Sequence, residues 1–213
     1  MRQIAVILTV IFLVPILARA RSGNPPDGKT GAPGEGTCRD CHSSYPLNSG
    51  DGAFTIVAPS DFEAGLTYPI AVEISDPGQQ RWGFEITPLA LGSITITDPT
   101  NTQYSSSGGK IYTKQTSAGT YNGTPNGPVS WSFDWTAPAD PPEQIVFYAA
   151  GIAANGNGSA SGDYVYTTTA TSNLLQNIPT LSEWGMIIFA LLLLAGGSVA
   201  VIRNDESYLN QSA

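Results

Sequence analysis

Two cysteines and one histidine are all that the 213-residue chain holds of either type, and the three fall together as Cys38-Arg39-Asp40-Cys41-His42. Residues this scarce rarely cluster by chance, so the cluster calls for a chemical cause. Two thiols three positions apart with an imidazole directly after them match the attachment pattern of a c-type haem. The sulfurs reach the two vinyl groups as thioethers, and the adjacent histidine coordinates the iron from the proximal side. The cofactor-binding residues expected on this reading are Cys38, Cys41 and His42, with His42 as proximal iron ligand and haem c as cofactor. A redox partner protein would then exchange electrons with the site.

Three other chemistries use the same residues. A short-loop disulfide between Cys38 and Cys41 suits an oxidising compartment. A thioredoxin-like dithiol has this spacing too, but there the motif leads into a helix within a βαβ unit, whereas here it follows a Gly/Pro-rich stretch. A structural zinc site needs four ligands, and the cluster supplies three. If haem is bound, the sixth ligand is an open question: Met186 lies in the C-terminal apolar run, and no second histidine exists. The opposite side of the iron is then open, water-ligated, or held by a lysine, a tyrosine or the α-amino group.

The remaining candidates are weaker. Asn155, Asn157 and Asp163 offer oxygens that could hold calcium, but such Gly/Asn/Ser loops are usually plain turns. The single histidine already belongs to the cysteine motif, so a Ser-His-Asp triad has no free base and no catalytic residues are assigned. Trp82, Trp131 and Trp135 read as core rather than as a ligand platform. A net charge of −8 with no basic cluster argues against nucleic acid as a partner.

The elements that must position these residues are strands. Val129, Trp131, Phe133 and Trp135 alternate with Ser130, Ser132, Asp134 and Thr136, a period of two that places one apolar face on a strand. Further strands are expected at 53–57, 67–75, 81–88, 93–97, 110–114, 144–154 and 164–171, between turn clusters such as Asp76-Pro77-Gly78 and Ser107-Gly108-Gly109. The fold class expected is therefore all-β, an antiparallel β-sandwich over residues 53–172, with a small barrel as the alternative. Residues 21–52 form a Gly/Pro-rich lead-in carrying the cysteine motif, expected to be extended over 21–36.

The two ends bear on the compartment. Residues 1–20 run from Arg2 through an apolar stretch to Ala18-Arg19-Ala20, the form of a signal peptide cleaved after Ala20. Residues 173–183 read as a linker and 184–202 as a transmembrane helix opened by Trp184 and stopped by Arg203, leaving 203–213 as a cytoplasmic tail. The expected localisation is extracytoplasmic.

Two resemblances sharpen these expectations. Ile178-Pro179-Thr180-Leu181-Ser182-Glu183-Trp184-Gly185, followed by the apolar span and Arg203, resembles the IPTL-type C-terminal sorting domain of Gram-negative bacteria. That resemblance implies recognition by a membrane-embedded sorting enzyme. It leaves the chain either anchored to the inner membrane on the periplasmic side or sorted to the cell surface. Its usual form ends soon after a run of arginines, whereas here one arginine is followed by ten further residues. The stretch from Thr30-Gly31-Ala32-Pro33-Gly34-Glu35-Gly36-Thr37-Cys38 through Trp82-Gly83-Phe84-Glu85 and Val129–Pro138 to Ile145–Asn155 is similar to bacterial choice-of-anchor proteins related to the reeler domain. It implies a reeler/immunoglobulin-like sandwich in a surface setting and supplies no catalytic residue. The function expected is an exported, surface-sorted or anchored module carrying one covalent haem for electron transfer or redox sensing. The alternative is a cell-surface adhesion module with a structural Cys38–Cys41 disulfide and no cofactor.

Overall fold

The computed structural model describes residues 22–175 and 184–195. The chain divides into two units, Met1–Leu174 and Leu175–Ala213. In the first, the alternating segments become strands β1 (Ala53–Val57), β2 (Asp61–Phe62), β3 (Thr67–Ser75), β4 (Arg81–Thr87), β5 (Ser93–Thr95), β6 (Thr102–Ser107), β7 (Lys110–Gln115), β8 (Val129–Thr136), β9 (Gln144–Ala154) and β10 (Tyr164–Leu174). Among the described residues they form a four-stranded sheet, β1-β3-β8-β5, and a six-stranded sheet, β2-β10-β9-β4-β7-β6. Every pair is antiparallel except the short β2–β10 pair, which is parallel.

The sandwich expected from the period-two pattern is thus present, with two strands the pattern did not supply. β2 is two residues long, and β6 is the polar run TQYSSS, so neither carries an alternating apolar signal. Several boundaries also move: β5 stops at Thr95 rather than 97, while β10 continues to Leu174 because Asn173 and Leu174 pair with β2.

Alternation decides which face is buried. On β8, Val129, Trp131, Phe133 and Trp135 turn inward, and on β3 so do Ile70, Val72 and Ile74. Across the gap lie Trp82, Phe84 and Ile86 of β4 with Ile145, Phe147 and Ala149 of β9. Trp131 stacks on Phe84 at 4.5 Å between ring centres, and Trp135 meets Phe147 edge-on at 5.1 Å. Each indole N–H donates to a loop carbonyl: Trp131 to Gly119, Trp135 to Leu91 and Trp82 to Thr124. The three tryptophans are core, as the sequence indicates, and their polar atoms are satisfied. At Gly151 a Cβ would come within 2.6 Å of the Phe54 ring, so only glycine lets the two sheets close there.

The second unit contains a helix over 184–195, whose apolar side chains, among them Phe189 and Leu191–Leu194, are exposed. No helix among the described residues is long and apolar enough to cross a membrane. The expected span 184–202 is therefore unsupported as a transmembrane helix; its remainder at 196–202, the tail 203–213, the signal segment 1–20 and sorting-motif residues Ile178–Glu183 lie outside the described residues.

Candidate functional site: the Cys38–Cys41–His42 cleft

The lead-in is where expectation and structure differ most. Rather than running extended, it folds over the outer face of the six-stranded sheet, and ion pairs fasten it there. Lys114 Nζ on β7 donates to Asp27 Oδ1 at 2.6 Å, and Lys110 Nζ and Tyr112 Oη donate to Glu35 Oε1 at 2.7 and 2.8 Å. The Lys29 amide donates to Glu85 Oε2 on β4 at 2.6 Å. Thr30 and Thr37 pair as an isolated bridge, and Asn48 of the same segment bonds β10 through Val165 and Thr167. Lys110, Tyr112 and Lys114 alternate along β7, so all three reach the face that the lead-in covers.

At the end of this cover, Cys38–Asp40 form one turn of 3-10 helix capped by Thr37, whose Oγ1 accepts from the Arg39 amide. The Cys41 and His42 amides both donate to Cys38 O, at 3.2 and 3.0 Å. In a 3-10 turn, side chains three apart lie one above the other, which sends both cysteines the same way. Cys38, Cys41 and His42 all line one solvent-open cleft of about 140 Å³. Its other walls include Pro25, Pro26 and Ile152, the stretch of β4 at Trp82 and Phe84, whose rings are buried in the core, and the cations Lys29 and Arg81. Both thiols are free.

His42 is held from behind. Its Nδ1 lies 2.7 Å from Oδ2 of Asp163, a carboxylate only 1 % exposed. A carboxylate accepts only, so Nδ1–H is the donor and Nε2 is left available. The other oxygen of Asp163 accepts from the Asn155 amide at 3.1 Å. The 155–163 loop that the sequence offered for calcium is instead a run of side-chain-stabilised turns. Asn155 Oδ1 accepts from the Asn157 amide, Asn157 Oδ1 from the Ser159 amide, and both side-chain amides donate to Ser161 O. Among the described residues, no three His, Cys, Asp or Glu side chains are grouped to hold a metal ion.

The electrostatics separate the remaining thiol chemistries. Burial, reinforced by the nearby Glu85 carboxyl, pushes the Cys38 thiol up to about 12. A nucleophilic thiol of a dithiol enzyme needs the opposite shift, so Cys38 is not set up for that role. Glu85 itself is fully buried, with Oε1 lacking a hydrogen-bond partner among the described residues. Burial lifts it to about 7, against the pull of the Lys29 amide and Lys114.

A haem has an apolar ring, two acidic arms and two vinyl groups. The cleft offers proline and aliphatic walls, Arg81 and the Asp40-paired Lys29 as cations, two thiols on one side of a turn and one oriented imidazole, so the residues present fit the group. Sequence reasoning located Cys38, Cys41 and His42 but missed Asp163 as the partner of His42, since 121 residues separate the two and no spacing rule links them. It also missed the Asp27, Glu35, Glu85, Lys110 and Lys114 network. A row of lysines and a tyrosine at alternate positions of an otherwise polar strand was the one available hint.

Comparison with known proteins adds one specific match. Residues 176–203 fit the IPTL-CTERM motif, a C-terminal sorting motif that covers the eight residues named from the sequence. No curated protein matches the chain. Among solved structures, it is similar to the N-terminal domain of the Streptococcus gordonii adhesin Sgo0707, at TM-score 0.36 and 8% identity over 58% of this chain and 32% of that one. It is also similar to the Actinomyces fimbrial adhesin FimA, at 0.33 and 14% over 57% and 55%. A third is the chitin-binding domain of Chi18aC from Streptomyces coelicolor, at 0.27 and 16% over 52% and 92%. The chain spans about a third of the Streptococcus structure, and at these scores the likeness carries no functional weight. The C-terminal sorting motif is what the comparisons establish: the chain carries the address of a protein processed by a sorting enzyme.

Proposed function

We propose that this chain is an extracytoplasmic, surface-sorted β-sandwich module whose cleft carries one covalent haem on Cys38 and Cys41, with His42 as proximal ligand. The observation that carries the haem is a single arrangement: both thiols and an imidazole with its Nδ1 tied to a buried carboxylate line the same apolar cleft. Bound there, a haem supplies one-electron exchange, suited to electron transfer or redox sensing. The chain's own part is to hold and orient. The 3-10 turn presents the sulfurs, Asp163 fixes the imidazole, and the lead-in closes one wall through its ion pairs with β7. The surface setting rests on the sorting motif, and the exposed apolar helix over 184–195 suits insertion of that end into a membrane before sorting. The reeler-like resemblance of the 30–170 stretch agrees with the setting and remains part of the proposal.

A second reading is a cell-surface adhesion or interaction module with no cofactor, in which Cys38 and Cys41 form a small disulfide. The motif and the sandwich favour it directly, because surface display and a β fold need no haem. One experiment separates the two. The mature protein is made in a host that attaches c-type haem and its intact mass and visible spectrum are recorded. The haem increment with a Soret band supports the first reading; a loss of two hydrogens, reversible by reductant and without a Soret band, rejects it in favour of the second.

A further inference from the structure

The Asp163–His42 pair has a consequence that reaches into the cleft. We infer that Asp163 is a positioning residue that makes His42 a fixed, strongly donating ligand, and that the opposite side of the iron is left open for small exogenous ligands. This inference rests on the haem reading proposed above.

The carboxylate is built in rather than borrowed from solvent. Asp163 is 1 % exposed, its Oδ1 is tied to the Asn155 amide and its Oδ2 to His42 Nδ1. A histidine that donates its second ring N–H to a carboxylate has its tautomer and orientation fixed and its free nitrogen made more basic. The loop that delivers Asp163 also forms cleft wall, through Gly156, Gly158 and Ser159. One structural unit therefore both aims the imidazole and shapes the space beside it.

The second half follows from what lines the cleft. The chain has no second histidine, and no methionine is among the described lining residues. Among the described lining residues Lys29 is the one side-chain amine, and its Nζ is committed to Asp40 Oδ2 at 2.6 Å; the α-amino group that cleavage after Ala20 would free is read by the six-coordinate outcome of the test below. Arg81 is a guanidinium, which stays protonated and does not ligate. What remains facing the cleft among the described residues is apolar or weakly coordinating, which leaves room for a small molecule such as carbon monoxide, nitric oxide or azide. Binding of this kind is reversible coordination and needs no co-reactant.

The test uses the full chain matured in a haem-attaching host, with all readings taken per attached haem. Carbon monoxide added to the reduced protein is expected to shift the Soret band, and azide to change the spectrum of the oxidised protein, without either displacing a protein ligand. Resonance Raman spectroscopy of the reduced protein is expected to give an iron–histidine stretch that moves to lower frequency in Asp163→Asn, with a rise in reduction potential, and that Asp163→Glu restores in part. A low-spin, six-coordinate spectrum indifferent to both probes would overturn the open side. An iron–histidine frequency identical in Asp163→Asn and the parent would overturn the positioning role, and the parent's own frequency decides the point if the variant does not fold. Protein with no attached haem at all would overturn the reading beneath both.

Discussion

Glu85 is the carboxyl whose chemistry is moved furthest from its ordinary state. It sits on the sheet face under the lead-in, fully buried, with one oxygen accepting from the Lys29 amide and the other without a partner among the described residues. Burial raises it from 4.5 to about 7. The unfolded chain therefore releases this proton at lower pH than the native one. Its contribution to stability is complete below the unfolded value and disappears as pH rises through the folded value. In urea unfolding at about pH 5 and about pH 8, the stability of the parent relative to Glu85→Gln is expected to fall by up to about 3 kcal/mol across that interval. An unchanged difference would mean that Glu85 is ionised throughout. At His42 the expectation is spectroscopic: in haem-loaded protein, His42→Ala shifts the visible spectrum strongly, and an unaltered spectrum would place the iron on another ligand.

At the scale of the element, β8 turns a sequence pattern directly into energy. Its burial alternates strictly at Val129–Trp135, and Phe133 lies between the two sheets while Ser132 faces solvent. Phe133→Ala should cost about 3–5 kcal/mol through lost burial and the cavity left behind. Ser132→Ala, one position away, should stay within about 0.5 kcal/mol. Chemical denaturation of the two variants side by side checks the assignment of faces, because a register slip of one residue would reverse the result. The 3-10 turn at Cys38–Asp40 works by the same logic on a smaller scale. Its geometry puts Cys38 and Cys41 on one side, and Thr37 holds its start.

At the scale of the whole molecule, the lead-in and the C-terminal motif each make a statement that can be checked. Burial by itself would raise Glu35 and Asp27, but the bonds from Lys110, Thr30 and Tyr112 to the first, and from Lys114 and Ser105 to the second, outweigh it and hold both below their ordinary values. The grip of these carboxylates is present above the unfolded values and is lost as pH falls through the lowered folded ones. Limited proteolysis with an acid-active protease should therefore leave residues 22–48 protected at mild acidity and cut them as pH drops below the usual carboxylate range. Glu35→Gln should bring that cleavage to neutral pH, read with a protease active there, and equal protection in both proteins would show that the ion pairs do not fasten the cover. Truncation after Leu175 removes the IPTL-CTERM motif and leaves the first unit whole. That protein is expected in the soluble extracytoplasmic fraction, whereas the full chain stays with the cell envelope.

Much of this molecule follows from local pattern alone. A period of two along Val129–Trp135 fixes a strand with an apolar face whatever its neighbours are, because side chains alternate by backbone geometry. Five adjacent residues carry the thiols and the imidazole, and eight adjacent residues carry the sorting signal, so both are readable without a fold. β6 and β2 were illegible because one is polar on both faces and the other is two residues long; their partners, not their own residues, make them strands. The lead-in's Gly and Pro content correctly excluded regular helix or central strand, but its path over the sheet depends on Lys110, Tyr112 and Lys114 meeting Asp27 and Glu35 across some 75 to 87 positions. The same holds for Asp163 behind His42. Tertiary structure alone turned a five-residue motif into a walled cleft with an oriented imidazole, because charge pairing and burial act on distances in space that sequence separation does not encode.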